Sequence, residues 1–213
     1  MTITKDTRLA WAIARDDGMR SQHEIIVARL ETGCEVQVGN KGGIGAGVNA
    51  DYAHVLTCIE SLPAPERHVG DALNCRGVLS GSSMRKASSL AALAIAQIAV
   101  KRLPGYARWS AERQQKLYWV ALAALERQWV VLHDIAEKTD HKGREEGCTL
   151  DEPWKIGKWL RGRHNQSLDL KNWGKQWAKA WEVLQTVIQE LDFSGMDYLS
   201  SRCYMRENWK KAS

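Results

Sequence analysis

WKIGKWLRGRHNQSLDLKNWGKQWAKAW, residues 154–181, decides how this chain is read. It carries Lys155, Lys158, Arg161, Arg163, Lys171, Lys175 and Lys179 against a single acid, Asp169. Half of the chain's 10 tryptophans lie in it, at Trp154, Trp159, Trp173, Trp177 and Trp181. An indole buries a large apolar area and anchors a fold. Clustered lysine and arginine attract phosphate. A segment that builds core and concentrates positive charge is predicted to be a nucleic-acid-docking element of packed helices. An amphipathic helix pair with a solvated basic face is the plainer alternative.

Two predicted helices frame this stretch. Thr149, Leu150, Asp151 and Glu152 fit a capping box, and Pro153 suits a first turn, where a missing amide does no harm. That helix is expected to span residues 152–160, with Gly162 as its breaker and small Gly157 facing inward. Ser167 or Asp169 caps the next, over residues 170–191. Trp173, Trp177 and Trp181 fall four apart on one face, and Lys171, Lys175 and Lys179 four apart on another. The outline is that of a helix-turn-helix, with a joint at 161–168 longer than the three or four residues of the compact motif. If the second helix enters a groove, its N-terminal turns lead. Lys171, Asn172, Lys175 and Gln176 then lie nearest the DNA, where amides pair with adenine edges and lysine meets phosphate or guanine. Lys155, Lys158, Arg161, Arg163, His164, Asn165 and Lys179 complete the candidate DNA-binding set. Indoles at this spacing read as core, and Trp209, beside Lys210 and Lys211, is the candidate for stacking on a base.

Outward from this element the chain reads as mainly α, a multi-helix bundle with a helix-turn-helix-like C-terminal element and a small irregular or short-strand N-terminal part. Short helices are expected at 7–16 and 21–31, and a strand at 34–38, where valines alternate with polar residues. Residues 39–47, GNKGGIGAG, are glycine-dense enough to read as a linker. They lack the lysine and hydroxyl placement of a phosphate loop. The chain is thus divided into an N-terminal segment, 1–50, and a helical domain, 51–213, whose DNA-binding element occupies about 150–191. Tyr52, Val55, Leu56, Ile59 and Leu62 form a helical stripe that Pro63 and Pro65 end. Further helices are expected at 64–74, from Ser82 or Ser83 to residue 102, from Ser110 to about 137, and at 198–209, with Gly195 ending the helix before it. Residues 139–147 read as a polar loop.

The 213 residues are 44% hydrophobic and 26% charged, with a formal net charge of +5, the balance of a globular chain. Five cysteines, odd in number and without a CxxC pair, read as free thiols of a reducing compartment. His133, His141 and Cys148 match no standard zinc spacing. No secretory signal core is present, and the run at 90–100 is too short to span a bilayer, so no membrane partner is expected. Adjacent acids such as Asp151 and Glu152 point apart on a helix, and His133 with Asp134 and Glu137 reads as a solvated helix end, so no enzyme is expected.

The C-terminal half resembles the late-gene antitermination proteins Q of lambdoid phages, of the type without a zinc finger. The likeness rests on Lys171-Asn172-Trp173, Trp177, Trp181, Leu191-Asp192, Leu199 and Arg202, with LPAPERHVGDAL (62–73) and the long helix at 112–137 in matching order. It covers residues 52–206. It implies a factor, needing no cofactor, that acts in the cytoplasm of a host bacterium. Such proteins bind double-stranded late-promoter DNA and engage the host RNA polymerase holoenzyme paused through its sigma factor. They then make it read through terminators. The rival expectation is another phage DNA-binding protein, a repressor-type regulator or a packaging-recognition subunit.

Overall fold

The computed structural model describes residues 7–16, 45–133, 138–139, 145–146 and 150–210, and of 45–52, 138–139, 145–146 and 203–210 the backbone alone. The chain is mainly helical. In order come α1 (Thr7–Arg15), α2 (Gly45–Glu60), α3 (Ala64–Asn74), α4 (Gly81–Arg102), a 3-10 turn (Tyr106–Arg108) and α5 (Ala111–Leu132). There follow the short strands β1 (Lys138–Thr139) and β2 (Glu145–Glu146), then α6 (Pro153–His164), α7 (Trp173–Gln176) and α8 (Ala178–Lys210). Two compact units are formed, one from residues 1–87 and 192–213, the other from 88–191. The boundary expected after residue 50 falls inside α2, and α1 packs on α2 and α3 within one unit.

In the first unit α1 supplies the centre of the core. Ala10, Trp11 and Ala14 are buried with Val55 and Ile59 of α2 and with Leu62 just beyond its end, three residues of the predicted stripe. Trp11 lies close against α3, because residue 70 is glycine: a Cβ there would stand 2.2 Å from the indole Cζ2. Its Nε1 donates to Asp71 Oδ1 at 2.9 Å. The same carboxylate accepts from Arg15 Nε at 2.9 Å, and Arg15 reaches Glu60 at 2.5 Å, so the buried guanidinium is doubly paired. Such pairing is what makes a buried charge tolerable. Burial nevertheless pushes the Asp71 carboxyl above its ordinary range, against the pull of Arg15. Arg8 adds a two-pronged bond to the buried Asp192 carboxylate, at 2.9 and 2.5 Å.

Several element ends depart from the sequence reading. α2 begins at Gly45, so the last three residues of the expected linker are the first turn of a helix. Glycine is better accepted at a helix's start than in its interior. The cap of α4 is Ser80, whose Oγ accepts from the Ser83 amide at 3.3 Å, rather than Ser82 or Ser83. Ser110 caps α5 as expected, accepting from the Arg113 amide at 3.3 Å. That helix ends at Leu132, and residues 134–137 lie outside the described ones. In the expected polar loop, 139–147, and the residue before it, Lys138 pairs with Glu146 and Thr139 with Glu145 in antiparallel register. The expected helix at 21–31 and strand at 34–38 lie outside the described residues.

The largest departures fall at glycines. Gly162 does not break α6, which runs two residues further to His164. The stop is Asn165, at φ 52°, with its amide bonded to the Arg161 carbonyl and the Gln166 amide to that of Leu160. The first of these is the 5→1 bond of a left-handed (αL) helix termination, in which asparagine replaces the usual glycine. Gly195 is likewise interior to α8, which continues to Lys210 with no separate closing helix. At the start of α6, Glu152 occupies the cap position itself and accepts no bond there from a helix amide, while Thr149, the expected cap, lies outside the described residues. The Glu152 carboxylate accepts instead from Trp154 Nε1.

Candidate nucleic-acid interface

The basic stretch belongs to the second unit, whose core contains Ile156, Leu160, Leu168, Trp177, Ala180, Leu184 and Ile188. Gly157 faces inward as expected: a Cβ there would lie 2.6 Å from Leu170 Cδ1. The chain from 165 to 172 can therefore fold back closely on α6. Asp169 organises this joint, its carboxylate accepting from the Lys171 amide at 3.1 Å and from Asn172 Nδ2 at 3.2 Å.

The second helix of the pair is not the continuous rod expected at 170–191. α7 is one turn, 173–176, and Trp177, at φ −121°, interrupts the helix before α8 begins. The three indoles therefore do not stack along one face. Trp177 is 2% exposed and meets Trp109 edge-on at 5.9 Å, while Trp173 packs against Trp181. Trp154, expected in the core, is 50% exposed. The side chain of Trp209 lies outside the described residues.

The candidate residues separate by environment. Lys158, Arg161, Arg163, Asn165, Lys171, Asn172, Lys175 and Lys179 are exposed, and Lys155, His164 and Gln176 are partly buried. Lys155 pairs with Asp151 at 3.0 Å and Lys179 with Glu182 at 3.0 Å, so both carry part of their charge into local pairs. Among the described residues Arg161, Arg163, Lys171 and Lys175 have no acid within pairing distance. These four are the cations best placed to attract phosphate.

His164 is a different kind of residue. Its ring lies 4.9 Å from that of Trp159 and 5.3 Å from that of Trp119. Burial, and then the Arg163 charge, hold its pKa below the ordinary value. It is accordingly neutral near pH 7 and serves as packing between two indoles. The amides expected to read bases are also engaged: Asn172 with Asp169, and Gln176 with Asp169 at 3.5 Å. Charges and amides can be counted along the sequence, but nothing there signals that Asp169 gathers the latter.

Beside α7 lies a cleft of about 430 Å³ that helical periodicity does not foretell. Its lining combines Arg108, Trp109, Arg113 and Lys116 with Asp169, Gln176 and Trp177. The Arg113 guanidinium sits 3.6 Å above the centroid of the Trp109 ring and donates to the Gln176 carbonyl. Desolvation lowers the Arg113 pKa. The available signal was Arg108-Trp109 followed by Arg113, cations bracketing an indole at a helix start.

Among the described residues no group of three or more His, Cys, Asp or Glu is arranged to hold a metal ion. No described helix is long and apolar enough to cross a membrane. Comparison with protein families, curated proteins and solved structures finds no match to the chain.

Proposed function

We propose that the protein is a DNA-binding transcription antitermination factor that docks on double-stranded promoter DNA through residues 153–179. The observation that carries this reading is the group of exposed, acid-free cations Arg161, Arg163, Lys171 and Lys175 on a frame fixed by buried Trp177 and Leu160. Phosphate-dominated contacts give salt-sensitive affinity, which suits a factor that must load on DNA and later leave it. The resemblance of residues 52–206 to the phage Q proteins supplies the finer part: engagement of sigma-paused RNA polymerase and read-through of terminators.

The test has two stages. A late-promoter fragment titrated at two salt concentrations should bind more tightly at low salt, with a slope set by the number of phosphates neutralised. In a purified transcription reaction, added protein should then raise terminator read-through. Absence of binding at low salt sinks the DNA reading. Binding that only blocks initiation replaces antitermination with repression.

A further inference from the structure

We infer that the cleft between the start of α5 and α7 is a phosphate-binding site, and that it extends the DNA-facing surface proposed above to Arg108 and Arg113. The proposal rests on that reading for the source of the phosphate, a nucleic-acid backbone, while the site itself is argued from its own groups.

Four donor elements converge on the cleft. Arg108 is exposed and has no acidic partner among the described residues. α5, 22 residues long, begins here, and the first amides of a helix have no acceptor within it. Such an end favours an anion. Ser110 satisfies the Arg113 amide, leaving those of Ala111 and Glu112 without an intrahelical carbonyl. Two side chains add to the helix start. Arg113 Nε and Trp177 Nε1 are buried donors without a hydrogen-bond partner among the described residues, and both residues line the cleft. A native interior rarely leaves such groups unmatched. Trp177, 2% exposed, forms the floor.

The acids in the lining are already committed. Glu112 holds Lys116 at 2.5 Å. Asp169 accepts from Lys171, Asn172 and Gln176. What Arg113 Nε and Trp177 Nε1 lack is an acceptor oxygen, and a phosphate presents several. A guanidinium stacked on an indole, as Arg113 is on Trp109, keeps its in-plane N–H groups for planar or tetrahedral oxyanions. Lys171 and Lys175, close in sequence to Gln176, continue the charge along the same element.

Indole emission of the full chain, titrated with thymidine 5′-monophosphate and separately with a short duplex, provides the test. Arg108→Glu is the principal variant, because an exposed side chain without a partner can be reversed without unfolding the protein. The expected result is a saturable emission change with the nucleotide that weakens about tenfold or more in Arg108→Glu, a loss near 1.4 kcal/mol. Duplex affinity should fall with it, and the salt slope should shrink by about one unit. A nucleotide response of that kind without any duplex binding keeps the phosphate site and removes the DNA reading. Duplex binding that depends on Lys171 and Lys175 but ignores Arg108→Glu, with no nucleotide response, overturns the cleft and leaves the DNA reading standing.

Discussion

Trp173 and Trp181 meet edge-on, ring centroids 5.9 Å apart, although they are eight residues apart in the chain. In an unbroken helix that separation is about 12 Å along the axis. The two rings approach across Trp177, whose φ of −121° interrupts the helical geometry between α7 and α8. Trp177 itself, between α7 and α8, is buried. Lys171 and Lys175 thus lie on the joint and on a separate single turn rather than on a continuous rod.

Trp177→Ala should cost roughly 3–5 kcal/mol, the usual penalty for deleting a buried large aromatic. Trp154→Ala, at a half-exposed ring, should cost well under about 1 kcal/mol, as surface changes do. Urea denaturation of the two variants checks the contrast. Near-equal losses would mean that the second unit is not built around Trp177.

Replacing Lys171 and Lys175 together by alanine should flatten the salt dependence of DNA binding by about two units, one for each phosphate no longer neutralised. Neither side chain has an ion pair among the described residues, so the melting temperature should stay where it is. Unchanged affinity would place the DNA-binding surface elsewhere.

Two glycine replacements should move stability in opposite directions. Gly70→Ala drives a Cβ to within 2.2 Å of Trp11, an overpacking that costs about 1–3 kcal/mol. At Gly195 the nearest atom is 3.7 Å away, ordinary van der Waals distance. Gly195→Ala in mid-helix should therefore stabilise by up to about 1 kcal/mol. Thermal melts of both variants read the sign directly.

His164 sets a pH dependence. Its folded-state pKa is lowered by burial and by Arg163, so protonation favours the unfolded chain. The stability that the neutral ring contributes is present above its unfolded pKa, about 6.5. It is lost as the pH falls through the folded value. His68 is lowered in the same direction, by burial and by Arg67, and adds to the effect. Urea midpoints measured at pH 8 and pH 5 should show a smaller loss in His164→Phe than in the parent protein. Identical losses would remove His164 as a contributor.

Much of the helical framework was legible from local rules. Pro63 and Pro65 marked the junction of α2 and α3, and Ser110 marked the start of α5, because backbone chemistry acts within a few residues. Gly162 and Gly195 misled for the same reason. A mid-helix glycine costs only about 1 kcal/mol relative to alanine, and tertiary packing outweighs that. The true stop at Asn165 depends on a left-handed backbone that asparagine tolerates but does not announce. In the candidate site, the run of cations was visible as composition. The pairs Asp151–Lys155 and Lys179–Glu182 follow helical spacing and were open to the same reading, whereas the hold of Asp169 on the Asn172 and Gln176 amides depends on the fold of the joint. The Trp109–Arg113 stack joins residues that helical periodicity never pairs with Trp177.

Cys75 gives the first unit an internal reporter. Its side chain is fully buried, and burial pushes the thiol's pKa far up, so it is both unreachable and protonated in the folded chain. Since alkylation proceeds through thiolate, the speed at which a maleimide or iodoacetamide captures this sulfur measures how often the Trp11 core comes apart.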